Sequence, residues 1–231
     1  MQAESGADEV LIWDWPLRAC HWLLVLCVSG SWATHYAGLE WFTWHQWFGC
    51  AALVLVAFRI AWGFVGPRYA RFESFVRGPR GILRYLRGDE PALPGHNPLG
   101  ALSVLAFLGA LLLQAGTGLF SNDEIASAGP LFGWVAQETS NRLANVHATT
   151  SKVLLGLIAL HLAAVAWHDL VRGRHLVRSM LNGRKRGSAI PATSGIASAL
   201  AVRALAIVIA LAAALAWVIS AAPDAAISVL F

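Results

Sequence analysis

Five apolar runs govern what this chain can fold into: Ala19 to Gly38, Gln46 to Gly66, Leu99 to Phe120, Leu143 to Leu170 and Ala199 to Ala221. An α-helix rises about 1.5 Å per residue, so roughly twenty residues cross the hydrocarbon core of a bilayer, and every run has that length. A backbone in hydrocarbon must satisfy its own hydrogen bonds, which makes such runs helices. Of the 231 residues, 57% are hydrophobic and 13% charged, against roughly 25% charged in a soluble domain. The sequence predicts an all-α integral membrane bundle, with a four-helix core and one further C-terminal transmembrane helix.

Lysine and arginine in the short links set the orientation. The link after the second run carries Arg68, Arg71, Arg77, Arg80, Arg84 and Arg87, and the link after the fourth carries Arg172, Arg174, Arg178, Arg184, Lys185 and Arg186. Across the membrane from them, Leu39 to His45 has no basic residue and Ser121 to Arg142 has only Arg142. The amino terminus and both arginine-rich links are therefore expected to be cytoplasmic, and the carboxyl terminus to lie outside. The opening MQAESGADEVLIWDWP lacks a basic stretch ahead of an apolar core, so no removed signal peptide is expected. The net charge of +4 follows from this topology and from anionic lipid headgroups, and calls for no nucleic acid. Cys20, Cys27 and Cys50 form no C-x-x-C-H attachment motif and read as apolar packing residues.

The chemistry lies in the histidines. His147 and His161 are fourteen residues apart on the fourth run, which on a helix means about 21 Å of rise with the two rings within about 40° of one face. His21 with His35, and His45 with Arg59, repeat that spacing. On the assumed topology His21 lies level with His161 and His45 with His147, giving two pairs at two depths. Polar groups inside a membrane are costly and mark something bound there. Neutral imidazole suits iron, and two pairs would hold two non-covalent haems as axial ligands. The match at the inner level requires the fourth helix to tilt and protrude into the cytoplasm.

No acidic residue falls inside the runs except Asp169 at a boundary, whereas Arg59, Lys152 and Arg203 do. A cation site would want carboxylates, while haem propionates want cations. Arg59 at the inner level and Lys152 near the outer one are the candidates, although Lys152 and Arg203 also suit simple snorkelling. His35 competes for the outer pair, and His168, one heptad beyond His161, could relay protons. A quinone would need a proton source at a surface, and His35, Asp123, Glu124, His168 and Asp169 are available. His96 and His175 receive no role.

Along the chain, Asp14 and Pro16 predict a capped start to the first helix. Gly66–Pro67 stops the second. Phe72 to Leu86 reads as an amphipathic helix lying on the headgroups, Gly88 to Pro98 as loop, and the Ser121 to Asn141 link has room for a short interfacial helix. The polar GSAIPATSG link suggests a division into residues 1–186 and an appended unit 187–231.

The stretches VLIWDWPLRACHW, HQWFGCAALVLVAFRIAWGFVGPRYARF with the RGPRGILRYLRG that follows, GHNPLGA, LQAGTGLF and VHATTSKVLLGLIALHLAAV, from Val10 to Arg186, resemble the prokaryotic cytochrome b561 family. That family includes the di-haem cytochrome b subunits of nickel–iron hydrogenases. The resemblance implies a helical bundle in a bacterial inner membrane, its carboxyl terminus then periplasmic, with two bis-histidine b haems whose ligands fall on His21, His45, His147 and His161. It also implies electron exchange between membrane quinone, ubiquinone or menaquinone, and a redox partner such as a cytochrome c or an oxidoreductase subunit. The fifth helix and His168 depart from the pattern. Two rival readings stay open: a membrane anchor and electron relay without catalysis of its own, and a metal-ion or proton transporter, which the lack of intramembrane carboxylates disfavours.

Overall fold

A computed structural model describes residues 9–88, 95, 97–124, 127–185 and 200–223. The polar link of residues 187–195, His96 and most of the expected loop before Pro98 lie outside the described residues.

Helix α1 (Trp15–Ala37) starts as expected: Asp14 is its cap, accepting from the Leu17 N–H at 2.9 Å, with Pro16 in the first turn. It ends at Gly38, whose φ of 113° only glycine takes readily. Helix α2 (Phe42–Val65) stops at Gly66 before Pro67. The amphipathic stretch is two helices and not one: α3 (Phe72–Phe75) and α4 (Pro79–Arg87). Pro79 disfavours helical backbone at Gly78 and lacks the N–H that a continuous helix would use. Helix α5 (Pro98–Gly118) begins under an Asn97 cap, whose side chain accepts from Gly100 N at 2.6 Å.

The short helix for which the link after α5 has room is a single 3-10 turn, Phe132–Trp134. Helix α6 starts at Gln137, six residues earlier than expected, so Arg142 belongs to the helix rather than to the link. It runs to Ala166 and continues through a π-turn, Trp167–Val171. The 35 residues from Gln137 to Val171 span about 52 Å, well beyond a hydrocarbon core of about 30 Å. Helices α7 (Leu176–Asn182) and α8 (Ala201–Ser220) complete the chain.

Helix α1 packs on α2, α2 on α5 and α8, and α5 on α6. The helix ends gather into two sets. At one end, strand β1 (Val10–Leu11) pairs antiparallel with β2 (Arg184–Lys185), and the Gly183 carbonyl accepts from the N–H groups of Ile12 and Trp13 at 2.9 and 3.0 Å. Arg203 of α8 reaches the Val65 carbonyl at 3.1 Å at this same end. At the other end, Gln46 donates to the Ala128 carbonyl at 2.7 Å and Pro223 lies against Gly133.

The core has two clusters. Ile12, Trp13, Leu17, Cys20, Phe58, Trp62 and Ala204 fill the β1 end, and Val56, Leu108, Leu111 and Leu154 join α2, α5 and α6. Four helical stretches, Leu39–Val65, Pro98–Gly118, Gln137–Val171 and Ala201–Ser220, are long and apolar enough to cross a membrane. The first predicted run is not among them: α1 has the length at 23 residues, but Arg18, His21, Ser29, Ser31 and His35 dilute its apolar character.

Candidate functional site

Helix pairing brings together histidines that the sequence separates by a hundred residues. His45, in the first turn of α2, and His147, in the third turn of α6, have ring centroids 6.3 Å apart with planes at 77°. Two metal–imidazole bonds of about 2 Å plus two ring radii of about 1.2 Å require roughly 6.4 Å, so the spacing fits one iron between two rings.

The orientation of both rings is fixed from behind. His45 Nδ1 lies 2.9 Å from the Ser31 carbonyl of α1, and His147 Nδ1 lies 2.8 Å from the Gln114 carbonyl of α5. A carbonyl only accepts, so each Nδ1 carries the proton and each Nε2 keeps the lone pair that a metal needs. At His147 that lone pair accepts from the Gln114 side-chain amide at 3.0 Å. The amide's own oxygen is buried with no hydrogen-bond partner among the described residues, and a metal held at Nε2 would replace that single amide contact.

Room for a flat group is present. Gly49, one turn along α2 from His45, is half-buried, yet a Cβ there would meet nothing within 4 Å. Gly118 has the opposite role: a Cβ there would come within 2.9 Å of His147 Cε1, so α5 must present a bare backbone to that ring. Beside Thr117 a groove of about 460 Å³, walled by Gly109, Leu112, Leu113, Gly116, Phe120 and Leu143, opens between α5 and α6. His35 also stands near, its ring 6.0 Å from His45. It is exposed, however, and touches the Tyr36 and His45 rings without a hydrogen bond among the described residues.

Toward the β1 end, His21 of α1 and His161 of α6 are close enough to interact electrostatically. His21 is half-buried, and its Nδ1 has no hydrogen-bond partner among the described residues although it is sealed from solvent. The Phe107 ring stands edge-on to His161 at 5.5 Å. Arg59, only 7% exposed, lies on the same side of α2 as His45. One guanidinium nitrogen donates to the Ala70 carbonyl at 3.2 Å, and the plane rests 5.2 Å over Phe72 and 5.9 Å from Phe75. The other terminal nitrogen, Nη2, is buried and without a hydrogen-bond partner among the described residues. An orphaned imidazole nitrogen and an orphaned cationic N–H at one level suit a metal-bearing anionic group.

Lys152 is not brought to the histidines. Five residues past His147 turn it about 140° around α6, and it is exposed on the face away from the rings. The surface acids are occupied in loop structure. Asp123 accepts from Ser127 N at 2.8 Å, Glu124 from the Asn141 side chain, and Asp169 caps α7 through Leu176 N and Val177 N at 2.5 and 3.1 Å. His168 sits in the π-turn, half-buried, its Nδ1 without a hydrogen-bond partner among the described residues. Sequence reasoning missed Gln114, Thr117, Gly118 and the Ser31 carbonyl. A lone amide in an apolar run was the available signal for Gln114.

A family model described as prokaryotic cytochrome b561 matches residues 12–183. The chain is also 24% identical, over 223 residues covering 78% of this chain and 87% of the relative, to the probable Ni/Fe-hydrogenase B-type cytochrome subunit of Bradyrhizobium diazoefficiens. The family match runs through α1, α2, α5, α6 and their connections and ends before α8. Spanning helices of this kind and a match over most of their length give the conclusion that the chain belongs to the prokaryotic cytochrome b561 family, multi-pass membrane b-type cytochromes that bind haem and transport electrons.

Proposed function

We propose that the chain holds two b haems at two depths, ligated by His45 with His147 and by His21 with His161, and passes single electrons between membrane quinone and a redox partner. The observation that carries this reading is the outer pair: two rings at ligand spacing, each with Nδ1–H held by a neighbouring helix's carbonyl, so that Nε2 carries the lone pair a metal would take.

Haem iron supplies one-electron chemistry that no side chain here performs. The chain's part is to hold and insulate it. Ser31 and Gln114 lock the imidazole tautomers, apolar helix faces keep water out, and Arg59 offers a buried cation to a propionate at the inner level. Lys152 is assigned the weaker role of meeting a propionate at the outer rim by bending back toward the helix start. On the arginine-rich links, the β1 end is cytoplasmic. A quinone head at either surface would find His35 or His168 as its titratable neighbour.

A second reading, a relay subunit anchored in a larger oxidoreductase, is supported by the name of the Bradyrhizobium relative, a hydrogenase cytochrome subunit. It differs in what exchanges electrons with the haems. A co-purifying cofactor-bearing subunit would favour it, and reduction of quinone by the isolated chain would count against it.

The deciding experiment is a reduced-minus-oxidised spectrum with a haem count per chain for the wild type and for His45→Ala, His147→Ala, His21→Ala and His161→Ala. Two haems are expected in the wild type. The first two variants should lose the same spectral component, and the last two the other. A haem-free wild type, or loss of one component by variants from both pairs, would overturn the assignment.

A further inference from the structure

Asp14 is the one buried carboxylate among the described residues, 1% exposed. It precedes His21 by two helical turns, which places the two about 10 Å apart along α1 and within about 20° of one face. Trp15 beside it is 50% exposed, so the carboxyl lies just beneath the surface of the β1 end.

Its surroundings balance a charge closely. One oxygen takes the N–H groups of Leu17 and Trp62. Arg59 acts on it through space, while its own hydrogen bond goes to the Ala70 carbonyl. Both favour the carboxylate, and burial among Ile12, Trp13, Leu17 and Trp62 opposes it. Burial prevails and holds the carboxyl above the usual carboxylate range, so a charge gained nearby moves its proton. The other groups packed around it cannot answer in that way. Arg59 does not give up its proton, and Cys20 of α1 and Tyr69 of the link after α2 carry a thiol and a phenol, which have no proton to gain. Arg18, one turn on, is held by the Leu181 carbonyl. On the strap, Glu9 is paired with Arg178 at 3.7 Å, and Lys185, a cation, stands opposite Val10.

From this we infer that Asp14 is a redox-linked proton site, an inference that rests on the two-haem reading above. When one electron from a quinol reduces the ferric iron between His21 and His161, the quinol's own protons pass to water at its site, and the Asp14 carboxylate takes one proton from cytoplasmic water. It returns that proton when the electron leaves, so the charge at this end of the bundle stays constant. At an effective dielectric constant of about 20, a unit charge roughly 10 Å away changes proton affinity about tenfold. The test titrates the midpoint potential of each spectral component against pH in the full-length protein, wild type and D14N, and records reduced-minus-oxidised infrared spectra with and without isotope-labelled aspartate. In the wild type, the component that His21→Ala removes should fall in potential across a window about one pH unit wide. A protonated-carboxyl band should appear on reduction and move with the label. D14N should flatten the slope, lose the band and keep both haems, with the other component's potential as in the wild type. The same slope in D14N would overturn the inference and transfer the proton to a haem propionate. So would the absence of a label-sensitive band from the wild type, a readout that holds even where D14N does not assemble. A wild type without the component assigned to His21 would overturn the haem reading, and the inference with it.

Discussion

At the β1 end, one carboxylate oxygen of Asp14 accepts from the Leu17 N–H at 2.9 Å and from the Trp62 indole N–H at 3.1 Å. It therefore caps α1 and ties it to α2 from a position only 1% exposed. Asp14→Ala loses the cap and strands a buried indole donor. Its expected cost is about 2–3 kcal/mol, read by thermal unfolding. Asp14→Asn keeps an accepting oxygen and should cost far less. Burial pushes the Asp14 carboxyl above the usual carboxylate range despite these hydrogen bonds. The folded state thus favours the protonated form, so this contribution to stability is present at acid pH and fades as pH rises through the raised value. A pH series of melting temperatures should show that decline in the wild type and not in Asp14→Asn. Gly118→Ala acts at the opposite end: its new methyl presses on His147, and the component that His147→Ala removes should weaken while the other keeps its intensity.

Among the elements, the small β1–β2 strap depends on Gly183. Its φ is +80°, and a Cβ there would sit 2.5 Å from the Trp13 carbonyl oxygen. Gly183→Ala combines left-handed strain with a clash and is expected to release residues 9–13 from α7, costing about 1–3 kcal/mol and exposing the amino-terminal segment to limited proteolysis. The element level also separates what the sequence exposes from what it hides. The cap at Asp14 and the stop at Pro67 rest on local chemistry, and the helices follow them. The break at Gly78–Pro79 was local too, but the amphipathic pattern ran through it and masked it. Gln114 meeting His147 across 33 residues, and Ser31 meeting His45, depend on how helices pair, and no periodicity in one helix encodes its neighbour's register. The depth argument did bring His45 level with His147, because both lie near helix ends that the topology assigns to one side. Lys152 was grouped with them by depth alone, and the helix turn carries it to another face.

For the whole molecule, the two sets of helix ends make sidedness testable. Glu124 and Arg80 are exposed at opposite ends, so in intact cells an impermeant thiol reagent should modify Glu124→Cys, and reach Arg80→Cys only after the membrane is opened. Cys20 and Cys27 are buried and Cys50 is half-buried, which keeps the background low. The reverse pattern would invert the assigned orientation. The fourteen-residue interval on α6 then has an electrical meaning. If His147 and His161 each serve a redox centre, an electron moving between their levels travels about 21 Å of a core about 30 Å thick. It crosses roughly two thirds of the membrane voltage, which is worth roughly 1.5 kcal/mol for every 100 mV. The traffic through this bundle would respond to, and charge, the membrane that holds it.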